Sequence, residues 1–66
     1  MDKYYVNRNA QAGGEHEVHK EGCVFMPENP IYLGLFSNCW DALEKARDYY
    51  DDVDGGKYCC EECHTK

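Results

Sequence analysis

Three residues separate His19 from Cys23, and two separate Cys60 from Cys63 near the other end of the chain. Imidazole nitrogen and thiolate sulfur are the donors that a tetrahedral zinc ion takes. Two short chelating pairs are a common way for a small chain to supply four of them. Each pair lets one turn point two ligands at a single point. His19, Cys23, Cys60 and Cys63 therefore read as a closed structural Zn2+ site.

The other sulfurs and imidazoles have plainer readings. Cys59 and Cys60 are adjacent, and neighbouring side chains in an extended run point to opposite sides, so only one of them reaches an ion easily. Cys60 is preferred because its two-residue gap to Cys63 suits a metal knuckle, while Cys59 would leave three. Cys39 falls on the apolar stripe of an expected helix, where a free thiol behaves as a small hydrophobe. His64 could stand in for His19 but reads as a solvated residue, and His16 as a surface one.

Size and cysteine usage support the metal. The chain has 66 residues, read as a single domain over 1–66, with five cysteines. A chain this short buries a small share of its surface. Structural zinc in small fingers supplies an apparent stabilisation of about 10–16 kcal/mol. An odd cysteine count is unlike a secreted disulfide scaffold. The opening Met1-Asp2-Lys3-Tyr4-Tyr5 has neither the basic nor the apolar region of an export signal. Reduced thiols in the cytoplasm are the expectation. No apolar run approaches the roughly 20 residues needed to span a bilayer, so no membrane is expected.

Thirteen acids against seven bases give a formal net charge of −6. Lys3, Arg8, Lys20, Lys45, Arg47, Lys57 and Lys66 are scattered singly. Such a surface repels a phosphate backbone, so nucleic acid is disfavoured as a partner. Asp48, Asp51, Asp52 and Asp54 lack the ligand spacing of a calcium loop and read as a solvated helix end.

The elements that must position the ligands are those of a small α+β fold. Residues 3–7 are aromatic and β-branched, suiting a strand. Asn9 to Gly14 supplies turn chemistry, and residues 16–20 return as a second strand with Val18 and His19 on opposite faces. Gly22 permits the tight turn that swings Cys23 back beside His19. Residues 31–36 form a third, mostly apolar strand. Ser37 is a suitable N-cap for a helix over about 38–50. Its stripe of Cys39, Leu43, Ala46 and Tyr50 would cover the sheet, and Gly55-Gly56 would end an acidic linker. The architecture expected is a β-hairpin plus a third strand in an antiparallel sheet, one covering helix and a C-terminal zinc knuckle.

This order of elements, with His19, Cys23, Gly56, Cys60 and Cys63 as the matching residues, resembles the N-terminal metal-binding domain of Ada-type DNA alkylation-repair proteins and related His-x3-Cys…Cys-x2-Cys modules. The resemblance implies a zinc ion held between a hairpin and a terminal turn. The repair proteins have a methyl-accepting cysteine at the place of His19. An imidazole lacks the activated thiolate that methyl transfer needs, so that activity does not carry over.

Four protein ligands would close the site, whereas catalytic zinc keeps an open position, and Cys60-Glu61-Glu62-Cys63 sets two acids between thiols that a redox couple would need ionised. The chain is not expected to be an enzyme. The expected function is a structural-zinc binding or adaptor module for a protein partner, with Trp40, Tyr4, Tyr5, Tyr32 and Tyr58 as candidate contacts. The alternatives are a nucleic-acid-binding zinc module, and a thiol-based redox or metal sensor using Cys59 and Cys60.

Overall fold

A computed structural model describes all 66 residues. The aromatic and β-branched run after Met1 forms β1 (Asp2–Asn7), which pairs antiparallel with β2 (His16–Lys20). The register sets Tyr4 opposite Lys20 and Val6 opposite Val18. β3 (Pro30–Phe36) pairs antiparallel with the other edge of β1, and its ladder slips between Tyr4 and Tyr5. Gly34, at φ 126°, sits opposite Tyr4 at that slip, a backbone shape that L side chains rarely adopt. The extra residue lets Leu33 turn into the core while the strand stays paired.

The helix, α1, covers Cys39–Ala46, shorter than periodicity predicts. Asn38 caps it in place of the expected Ser37, its side-chain oxygen accepting from the Asp41 amide at 2.9 Å. Beyond Ala46 the amides of Asp48 and Tyr49 bond three residues back, tightening the last turn before the chain leaves the helix. The segment expected to be an acidic linker instead holds a short fourth strand, β4 (Val53–Gly55), parallel to β2. The sheet order is β3-β1-β2-β4, so the sheet is mixed rather than wholly antiparallel. A single 3-10 turn over Glu61–Cys63 closes the chain.

Tyr4, Val6, Val18 and Leu33 point to one face of the sheet, and α1 packs Cys39, Ala42, Leu43 and Ala46 against it. Cys63 is fully buried in this core and pairs with Cys39 at disulfide distance, joining helix to terminal turn. Cys60 lies in the same core as a free thiol. Only 15 of 66 residues are buried, so a few side chains carry the packing.

Asp54 departs from the solvated-acid reading. It is 2% exposed and accepts from the Thr65 amide at 2.9 Å, the Thr65 hydroxyl at 3.0 Å and the Lys66 amide at 3.1 Å. Its carboxylate holds the C-terminal segment beside β4. Asp54→Ala should lower unfolding free energy by about 2–3 kcal/mol, since charge-assisted bonds are lost and donors are left without partners. Asp51→Ala, at an exposed position, should change it by less than about 0.5 kcal/mol. Urea denaturation of the two variants checks the contrast.

Candidate metal centre

Side chains alternate along β2, so Val18 enters the helix-covered core while Glu17 and His19 share the opposite face. His19 is nevertheless buried, because two loops cover it. The first is the turn after β2. Gly22 takes φ 90°, the Cys23 amide bonds the Lys20 carbonyl at 3.1 Å, and Cys23 Sγ comes within 3.9 Å of His19 Nδ1. The second loop follows β4. The Gly56 amide bonds the Val18 carbonyl at 2.9 Å, drawing the chain across β2. A Cβ at Gly56 would lie 3.0 Å from His19 Nδ1 and 3.2 Å from the Val18 carbonyl oxygen, closer than most contacts of a real Cβ. Glycine lets this loop lie beside the imidazole and deliver Cys59.

His19, Cys23 and Cys59 therefore converge, with one donor atom from each lying within 4.8 Å of the others. His19 Nδ1 is 3.4 Å from Cys59 Sγ. For zinc bonds of ordinary length the nitrogen-to-sulfur edge of a tetrahedron is about 3.6 Å, close to both observed separations. The two sulfurs pair with each other at disulfide distance. Reduction must open this pair before both can coordinate an ion. The group can hold a metal in its reduced form.

Of the four ligands expected from spacing, the structure brings together His19 and Cys23 but leaves Cys60 and Cys63 on the helix side of the sheet. Neighbouring Cys59 and Cys60 do diverge, and it is Cys59 that turns toward His19. Two-residue spacing favoured Cys60, but the crossing of Gly56 over β2 sets which thiol faces the imidazole. That long-range contact leaves no mark in local spacing.

Glu17 completes the surroundings. Its Oε1 lies 3.5 Å from His19 Nε2, which favours the proton on Nε2 and leaves the Nδ1 lone pair facing the sulfurs. Burial lowers the His19 pKa, holding the ring in the neutral form that ligates. Burial raises that of Glu17, as do the nearby Glu15 and Asp54, while His64 opposes the shift. The Phe25 amide donates to Cys23 Sγ at 3.4 Å.

The other two imidazoles are committed elsewhere. His64, expected in solvent, is partly buried, with Nδ1 2.9 Å from the Gly55 carbonyl oxygen and 3.3 Å from Asp54. His16, read as a surface residue, stacks on Tyr50 at 3.6 Å between centroids and donates through Nδ1 to the Asn7 carbonyl. Beside the centre, Phe25 and Tyr58 stack at 4.5 Å, both exposed, and neighbouring Val24 is 89% exposed.

Comparison with protein-family models, with curated proteins and with solved structures gives no match to this chain, so the reading of the centre rests on its own residues.

Burial pushes the Cys60 thiol above its ordinary 9.0, partly offset by the Gly56 amide and by Lys20. It should therefore be protonated at neutral pH and react with iodoacetamide far more slowly in the native protein than in denaturant. The folded pKa lies above the unfolded one, so this group's contribution to stability should be intact below about pH 9 and decline as pH rises through the folded value. Mass spectrometry of timed alkylation reads the first effect, and rapid native labelling would contradict it.

Proposed function

We propose that the protein is a small zinc-stabilised module of a reducing compartment such as the cytoplasm, acting by binding a protein partner. In this reading the reduced site holds one Zn2+ through His19, Cys23 and Cys59. The observation that carries it is the orientation of His19, with Nδ1 facing two sulfurs and Nε2 facing Glu17. That carboxylate–imidazole–metal order is a recurrent feature of protein zinc sites. The ion would tie the turn after β2 to the loop after β4, two segments that otherwise share little core.

The binding role draws support from the surface. Val24, Phe25 and Tyr58 form an exposed apolar and aromatic patch built on those same two loops, so the metal would fix their relative positions. Aromatic side chains are enriched among residues that anchor protein interfaces. Trp40 and Tyr32 are also exposed, whereas Tyr4 is core and Tyr5 packs on Tyr32. The formal charge of −6 disfavours nucleic acid.

Native mass spectrometry of protein purified under reducing conditions should show one zinc per chain. Cys59→Ser should lose that zinc and Cys60→Ser should keep it. The reverse pattern would restore the ligand set read from spacing, and no zinc in any form would refute the metal reading. Labelled duplex and single-stranded oligonucleotides at about 150 mM salt should show no micromolar binding. Such binding with a steep salt slope would favour the nucleic-acid alternative.

One observation favours a second reading, a thiol-based sensor: Cys23 and Cys59 are both ligand candidates and disulfide partners. A peroxide would take two electrons from the two thiolates, forming the disulfide and two hydroxide ions and releasing Zn2+. Peroxide titration followed with a zinc indicator dye tests this, with one zinc released per Cys23–Cys59 bond formed.

A further inference from the structure

The metal centre has three donors from the chain and lies beside an open cleft. His19 and Cys59 both line this cleft, which has a volume of about 760 Å3. Zinc bound by protein is four-coordinate as a rule, and three protein ligands leave one position for a group from outside. Each nearby side chain that could supply the fourth donor is engaged elsewhere. Cys63 pairs with Cys39, and Cys60 is buried in the helix-side core. Glu17 faces the far nitrogen of His19, and His64, held through Nδ1 by the Gly55 carbonyl, is not among the donors that converge within 4.8 Å.

The walls of the cleft restrict what can enter. Zn2+ with two thiolates and a neutral imidazole has no net charge, so an anionic fourth donor would leave the centre negative. Glu15 and Glu17 on the wall oppose that, and Glu15, 8% exposed, has an oxygen with no hydrogen-bond partner. Of the cations on the same wall, Lys66 is bound by Asp52 at 3.0 Å and Lys57 lies over the Tyr58 ring. Neither is free to compensate an incoming anion. The Phe25–Tyr58 stack gives the cleft an exposed aromatic side. A neutral, flat nitrogen donor meets all these conditions.

We propose that the fourth coordination position is open and accepts an imidazole nitrogen from outside the chain, supplied by a histidine of the partner protein. This rests on the zinc-site reading above and names the chemistry by which that site would engage its partner. The histidine ring would complete the tetrahedron while packing along Phe25 and Tyr58.

The test uses the full chain, reduced and loaded with Co2+, whose visible spectrum reports ligand number and type. Addition of millimolar imidazole should shift the visible bands in a saturable way, while acetate should not. Tyr58→Ala should bind Co2+ as before but weaken imidazole by about three- to tenfold, the loss expected for one aromatic contact. A four-coordinate spectrum unchanged by imidazole would show that the chain closes its own site, overturning the proposal while leaving the metal reading intact. Equal or greater response to acetate would overturn the neutral-donor assignment. A spectrum that changes with protein concentration before any imidazole is added would assign the donor to a second copy and overturn the partner assignment. Failure to bind Co2+ at all would remove the metal reading and the proposal together.

Discussion

A pleated backbone sends neighbouring side chains to opposite faces, and the two faces that β2 gains from that alternation are what the turns carrying the cysteines are arranged around. On β2 it directs Val18 into the helix-covered core and His19 to the other side, although both are buried. At the Cys59–Cys60 step a turn, not a strand, divides two adjacent thiols between the same two sides, one toward His19 and one into the core. A one-residue slip of β2 against β1 would exchange the core face and the His19 face together.

The two faces are also joined. The parallel pairing of β4 with β2 brings the Gly55-Gly56 segment across the end of β2, and from there the chain sends Cys59 to one face and Cys60 and Cys63 to the other. The Cys39–Cys63 pair ties that segment to α1, and the buried Asp54 carboxylate ties it to the terminal residues. With few fully buried large side chains, the C-terminal third is ordered mainly by such directed contacts rather than by bulk apolar burial. This order is what allows a loop rich in small and polar residues to hold Cys59 within 3.4 Å of an imidazole.

Local chemistry made much of the fold legible. The strand character of 3–7, the alternation across 16–20, the turn at Gly22 and the helix stripe of Cys39, Leu43 and Ala46 all follow from residue type and period, and the α+β architecture follows from them. What escaped depends on contacts distant in sequence. β4 is three residues long and follows directly on Asp51 and Asp52, and it exists because β2 offers an open edge. Asp54 looks like its solvated neighbours until Thr65 and Lys66 close over it. His64 and His16 owe their ordered positions to the Gly55 carbonyl and to Tyr50. For the centre itself, the pairing of His19 with Cys23 was readable from a three-residue gap and a glycine turn. The sulfur that meets them was not, because a local spacing cannot report which side of a sheet a loop will cross.

Three donors converge where spacing suggested four, and an ion held by three would keep a position for a group from outside. The expectation of a closed site is one ground for excluding chemistry at a bound ion, and a three-donor group would not supply that ground. The most direct measurement of the account is X-ray absorption at the zinc edge on reduced, zinc-loaded protein. Two sulfur scatterers at about 2.3 Å and nitrogen or oxygen scatterers at about 2.0–2.1 Å are expected, from Cys23, Cys59, His19 and one group from outside the chain. Three sulfurs with one nitrogen would contradict this and return the centre to His19, Cys23, Cys60 and Cys63.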